Sequence, residues 1–314
     1  MPPPRSTQSE TVDTGLDILG LGCTAVDDVL YVDAYPPADG KAQVRRRRRH
    51  CGGLTAVALA AAARLGCRAA YAGTLGNDEL SQFVLHWFGE LGIDTQYVHS
   101  REQARPIRSI VVVDESRQTR AILYDIEGVF GADPLWPPEE VIRAARVLLV
   151  DHYGLEGMIR AAKIARGAGI PVVADLEGTE NPLFAELLGL VDHLLLSRDF
   201  ACSLSGRGEP AEAARALWAP GRCAVIVTCG SDGCWHLSGE PGQPVHQAAF
   251  PVQARNTTGC GDVFHGAYAA ALVDGLQVPA AVRFASAAAA LKATGRGEHG
   301  GLPSRAEVEE LLKG

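Results

Sequence analysis

NTTGCGDVFHG, residues 256–266, sets Gly259 and Gly261 either side of Cys260, ahead of a lone aspartate, Asp262, and runs on into the helix-forming AYAAAL. A helix N-terminus carries free N–H groups and the positive end of the dipole, so it attracts anions. Glycines without Cβ atoms let a phosphate approach the backbone closely, and successive N–H groups at 259–262 form an anion hole. A carboxylate beside a phosphoryl group held there takes the proton of an attacking hydroxyl. Spacing alone leaves a second reading open, a glycine turn followed by a helix-capping aspartate.

Composition fits an α/β protein built around that helix. The 314 residues suit one large α/β domain, alone or with a smaller appendage. Hydrophobic residues make up 47 % and aromatics only 6 %, which fits helices packed on buried parallel strands. The net charge of −8 argues against nucleic-acid binding. No apolar run approaches the roughly 18 residues of a membrane span. MPPPRSTQSE is polar and proline-rich, lacks the apolar core of a signal peptide, and marks residues 1–15 as a disordered lead-in. Eight cysteines without a CxxC pair read as buried, reduced thiols of a cytoplasmic protein.

LDILGLG (16–22) reads as a first buried strand, LTAVALAAAARLG (54–66) as a helix closed by Gly66, and DELSQFVLHWFGELG (78–92) as an amphipathic helix with Asp78 at its N-cap. Strands then alternate with helices: ARVLLVD (145–151), LEGMIRAAKIARGAG (155–169), IPVVADL (170–176), PLFAELLGL (182–190), VDHLLLS (191–197), PAEAARALWA (210–219) and CAVIVTCG (223–230). Three helices follow, at 260–274, 278–293 and 304–313. This alternation predicts a three-layer α/β/α core with a parallel sheet. VLYVDAYP (29–36), KAQVRRRRRH (41–50), IRSIVVVD (107–114) and RAILYD (120–125) are extended, the last two pairing around ESRQT. They predict a small β-sheet lid from 28–50 and 95–125, with the core formed by 16–27, 51–94 and 126–314.

NTTGCGDVFHGAYAAAL resembles the C-terminal signature of the ribokinase/PfkB family of sugar kinases. CGGLTAVALAAAARLG resembles its N-terminal Gly-Gly signature, VDDVLYVDAYP its first lid strand, VIVTCGSDGC its nucleotide-loop strand and VRFASAAAALKATGRGEHGGLP its closing helix and loop. The likeness runs in family order from about residue 16 to 312. Within the family, bacterial sulfofructose kinases, and ketohexokinases around VDAYP, are the most similar. The resemblance implies a ribokinase-like fold and transfer of the ATP γ-phosphate to a sugar hydroxyl, with Mg2+ bridging phosphates. It implies Asp262 as base and Gly259, Cys260 and Gly261 as the anion hole. Ser197, Thr228, Gly230, Ser231 and Gly233 would line the nucleotide, with Ser286 and Lys292 on the helix side. Asp27 would grip sugar hydroxyls, and Gly52 and Gly53 would let the chain bend beneath the sugar. Lys41 would be a retained substrate cation, and the chain is expected to form a homodimer through the lid.

Departures qualify the likeness. Asn256 stands where the family has an aspartate tied to a monovalent cation, with Thr258 in the same loop, which argues against potassium activation. The N-x-x-E that organises magnesium and phosphates is SRDF (197–200), with Asp199 the nearest carboxylate. Leu54 and Val57 replace sugar-binding asparagines, and Leu123 and Tyr153 replace the polar partners of a sulfonate. Two rival readings follow: a nucleoside kinase of the same family, and a non-catalytic sensor that binds a sugar or nucleotide.

On an extended RRRRRH (45–50), Arg45, Arg47 and Arg49 face one way, and Arg46, Arg48 and His50 the other. One set is expected to face the cleft and match an anionic sugar; with Lys41, the set assigned to it is Arg45, Arg47 and Arg49. The plain alternative is a solvated strand. His152, after Asp151 at a strand end, is expected to reach the ligand crevice or else to pack.

Overall fold

The strands and helices fall where period-2 and period-3.6 patterns meet. The computed structural model describes residues 15–117, 119–178, 180–239, 242–295 and 301–314. Residues 1–14 of the expected lead-in, Gln118 of the expected turn and 296–300 of the closing loop lie outside the described residues. In chain order the first half holds β1 (Leu16–Leu21), β2 (Ala25–Val32), β3 (Val44–Gly52), α1 (Leu54–Arg64), β4 (Ala69–Tyr71), β5 (Thr74–Leu75), α2 (Glu79–Glu90), β6 (His99–Ser100), β7 (Ile107–Asp114), β8 (Thr119–Asp125), α3 (Glu139–Arg143) and β9 (Ala145–Val150). The second half holds α4 (Leu155–Gly167), β10 (Val172–Asp175), α5 (Phe184–Leu190), β11 (His193–Ser197), α6 (Arg198–Ser205), α7 (Pro210–Ala216), β12 (Ala224–Thr228), a 3-10 turn (Gly230–Asp232), β13 (Cys234–Ser238), β14 (Val245–Gln247), α8 (Cys260–Val273), α9 (Val278–Ala293) and α10 (Arg305–Lys313).

Eight strands form one sheet in the order β14-β13-β12-β11-β10-β9-β1-β4. It is parallel from β4 to β12 and antiparallel at β13 and β14, so the expected parallel sheet is a mixed one, closed by a meander at one edge. Successive residues feed opposite cores: Val147 and Leu149 pack with α1, α8 and α9, whereas Leu148 and Val150 pack with α4 and α5. Burial on both faces is why these strands read as continuous apolar runs. Small residues bring α1 and α8 close: a Cβ on Gly266 would lie 2.0 Å from the Ala58 carbonyl oxygen. Asp78 caps α2, accepting from the N–H groups of Leu80 (2.9 Å) and Ser81 (3.2 Å).

A second, four-stranded sheet runs β3-β2-β7-β8. Its strands start at Ala25 and end at Gly52, so they reach further into the 16–27 and 51–94 segments than the sequence suggested. Residues 99–100 do not join it: β6 pairs with β5 in a separate two-stranded sheet beside the core. No described helix is long and apolar enough to cross a membrane, and all eight cysteines are free.

Candidate active site

β10, β11 and β12 end at one edge of the large sheet, at Asp175, Ser197 and Thr228, with Asp151 directly after β9 beside them, which is where ligands settle in open α/β sheets. The N-terminus of α8 comes to the same edge. Gly259 is its N-cap, in the left-handed region at φ 75°, and a side chain there is strained. Cys260 N–H donates to Thr257 O at 3.3 Å, so the expected anion hole keeps the N–H groups of 259, 261 and 262, which have no partner among the described residues.

Asp262 lies in the first turn of α8. Burial pushes its carboxyl well above the usual carboxylate range; Asp175 adds to the rise, and His265 and Lys292 oppose it. Behind it, the His265 ring meets acceptors at both nitrogens: Nδ1 lies 2.7 Å from Gly261 O and 3.2 Å from an Asp175 oxygen, and Nε2 lies 3.2 Å from Leu195 O. This buried pair joins the first turn of α8 to the ends of β10 and β11. Sequence reasoning missed it; the signal was a histidine three residues after Asp262 on a helix otherwise made of small and apolar side chains.

The position of Cys260 at a helix N-terminus favours thiolate, but burial is the larger effect and raises the thiol, against the pull of Lys292.

On the other side of the cleft, β2 carries Asp27, directly opposite His50 on β3 and Ser109 on β7. Ser109 hydrogen-bonds the Asp27 carboxylate, yet burial still raises its pKa. Gly52 and Gly53 have separate reasons to be glycine. A Cβ on Gly52 would lie 2.7 Å from Asp27 Oδ2, and Gly53, at φ 97°, would drive a Cβ to 2.7 Å from Thr24 Cα.

This register settles the arginines and corrects their assignment. Asp27 shares its sheet face with His50, Arg48 and Arg46, and His50 feels the charges of Asp27, Arg48 and Lys292. The even-numbered set therefore faces the cleft. Arg49 turns away, to Asp28 (2.8 Å) and Glu79 (2.7 Å), and Arg45 to Asp33. Lys41 is exposed in the connection at the far end of the β2–β3 hairpin, apart from Asp27. Arg120 on β8 lies on the cleft face too, and its Nη1 donates to Thr258 Oγ1 at 2.6 Å.

The nucleotide-side residues gather around the β12–β13 turn. Thr228 ends β12 with its hydroxyl on Leu196 O at 3.3 Å, and Gly230 and Ser231 sit in the 3-10 turn. A Cβ on Gly233 would meet Gln247 O at 2.1 Å. Ser197 caps α6, accepting from Phe200 N–H at 3.4 Å. Phe200, where the family motif has glutamate, packs edge-on against Phe184, and Asp199 is exposed. Ser286 is buried on α9 with its hydroxyl 3.9 Å from Cys234 Sγ. Lys292 lies beside Asp262 and Cys260. Asn256 Oδ1 accepts Thr258 N–H at 3.0 Å, so its side chain is used within its own loop.

Asp151 is spent on the scaffold: it accepts from Cys23 N–H (2.7 Å), Thr55 Oγ1 (3.0 Å) and Tyr153 N–H (2.8 Å), although burial raises it to about 6. His152 packs on Tyr153 and accepts Glu177 N–H at 3.3 Å, and burial lowers it to about 4.

A family model, the pfkB family carbohydrate kinase, matches residues 19–305. The ribokinase of Bacillus subtilis (strain 168) is 28 % identical over 300 residues, covering 94 % of this chain and 99 % of its own. The 5-dehydro-2-deoxygluconokinase of Shouchella clausii is 23 % identical over 320 residues, covering 95 % of each. Among solved structures, the ribokinase of Arabidopsis thaliana complexed with ribose and ATP superposes with a TM-score of 0.82 at 26 % identity, over 95 % of this chain and 99 % of that one.

Proposed function

The chain belongs to the pfkB family of carbohydrate kinases and is an ATP-dependent sugar kinase, and we propose that Asp262 is its general base and that its sugar is anionic. The observation that carries the first part is Asp262 in the opening turn of α8, flanked by the N–H groups of Gly259 and Gly261, which have no partner among the described residues, across from Asp27 and His50. A sugar hydroxyl held by Asp27 forms its bond to the γ-phosphorus while Asp262 takes the proton. The bond to the β–γ bridging oxygen breaks, and ADP leaves with the electron pair. The N–H groups at 259, 261 and 262 receive the charge on the phosphoryl oxygens. Thr228, Gly230, Ser231 and Gly233 line the nucleotide beside Ser197 and Ser286, and the small sheet is the lid.

A magnesium ion arrives on nucleotide phosphates and needs only one or two protein carboxylates. With Phe200 half-buried against Phe184 and Asp175 committed to His265, the exposed Glu177 and Asp199 fit that need. Bound there, the ion supplies charge neutralisation of the phosphates.

The anionic sugar is favoured by Arg46 and Arg48 on the face that carries Asp27. Arg46 stacks on Tyr31 at 3.9 Å and already pairs with Glu115 at 3.5 Å, whereas Arg48 has no ion-pair partner among the described residues, so Arg48 carries the argument. The opposite face exposes Ile110 and Leu123, the latter 61 % exposed, which supports a homodimer through the lid. Eight unpaired thiols support a reducing, cytoplasmic setting.

The test is ADP release across matched neutral, phosphorylated and sulfonated ketoses and a set of nucleosides. Preference for an anionic ketose that collapses in Arg48→Ala supports the reading. Preference for a neutral sugar overturns the anionic part, nucleosides point to the rival kinase, and no turnover with any acceptor points to a sensor.

A further inference from the structure

Lys292 sits in the last turn of α9, a position where lysines normally extend into water and favour the helix C-terminus. Here it is only 6 % exposed. Its aliphatic end lies against the N-cap of α8: a Cβ on Gly259 would be 3.8 Å from Lys292 Cε and 3.6 Å from Asp262 Oδ2. The charges it feels are Cys260 and Asp262, and across the cleft it acts on His50 of the small sheet.

No carboxylate lies within ion-pair distance of Lys292 among the described residues. The sealed polar side-chain atoms without a partner, again among the described residues, are Thr24 Oγ1 and Arg64 Nε. The Lys292 ammonium is therefore unpaired yet open to the cleft. A buried ammonium without an anion is costly, and a helix N-terminus with free N–H groups alongside is itself positive. Two positive features placed together call for an anion of more than one charge between them.

We propose that Lys292 is a catalytic residue that contacts the γ-phosphoryl group of ATP and shares its charge with the N–H groups of α8. This rests on the kinase reading and adds a side-chain donor to a hole otherwise built of backbone. During transfer the phosphoryl oxygens keep their charge while the bond to ADP breaks and the bond to the sugar oxygen forms. A fixed ammonium at that point stabilises the group throughout, without a proton changing hands at Lys292.

The γ-phosphoryl group is present in ATP and absent from ADP, which gives a test independent of the sugar. The measurement is calorimetric binding of a non-hydrolysable ATP analogue and of ADP, both with Mg2+, to wild type, Lys292→Met and Lys292→Gln, with melting curves to establish folding. The expected result is a loss of roughly 10–100-fold in analogue affinity, the range of a charge-assisted hydrogen bond, with ADP affinity changed by a much smaller factor. Two variants guard against a packing failure in either one. Equal losses for both nucleotides, or no loss for either, overturn the proposal and leave Lys292 as a counter-charge to Asp262. If wild type itself binds neither nucleotide, it is the kinase reading that fails.

Discussion

Arg120 Nη1 donates to Thr258 Oγ1 at 2.6 Å, so the last strand of the small sheet is tied to the loop that leads into α8. The bond spans the cleft from the sugar side to the phosphate side. It is exposed, and exposed charged contacts contribute about 0.2–1 kcal/mol.

Arg120→Ala is therefore expected to raise the KM for the sugar by roughly 2–5-fold, with the melting temperature near wild type. Steady-state kinetics with any accepted sugar checks this. An unchanged KM would mean that the bond plays no part in closure.

The two adjacent glycines separate in their effects. Gly52→Ala pushes directly on Asp27 Oδ2 and is expected to weaken the sugar at a modest cost in stability, about 1–3 kcal/mol. Gly53→Ala meets backbone at 2.7 Å while holding φ at 97°, and is expected to be the more destabilising of the two. Urea unfolding and sugar KM on both variants test the split; the reverse order would contradict it.

The core was legible because its strands are buried on both faces and its helices carry their own punctuation, such as Asp78 at the start of α2 and Gly66 just beyond the end of α1. The short elements were not. α3 and α6 span five and eight residues, too few to show a period, and β5 and β6 are two-residue pairings made by tertiary contact. At the site, Asp262 and the glycines stood out by local chemistry. The arginine face did not, because alternation gives two sets and only the pairing of Asp27 with His50 says which one meets the cleft. Lys41 was misplaced for the same reason: a one-dimensional reading has no measure of how far a hairpin tip lies from its base. His265 and Asp175, 90 residues apart in sequence, meet only through the fold.

Potassium is expected to activate weakly or not at all. Asn256 brings no charge, and its side-chain oxygen is already bonded to Thr258 N–H. Activity in matched potassium and sodium buffers checks this, and strong saturable activation by potassium would show a site built from backbone carbonyls instead.

The pH profile follows from the raised Asp262 carboxyl. A base works deprotonated, so kcat/KM is expected to climb with pH through an acid limb above the ordinary aspartate value of about 3.9. His265 opposes the rise, so His265→Asn is expected to move the limb to higher pH. A limb that stays in place would disconnect the buried pair from Asp262.

The most direct measurement is single-turnover phosphoryl transfer by Asp262→Asn, alongside its affinity for ATP. With the base removed and the anion hole intact, the rate is expected to fall by roughly 10²–10⁴ while ATP binds as in wild type. A rate within threefold of wild type would contradict the account and remove Asp262 from the role of base.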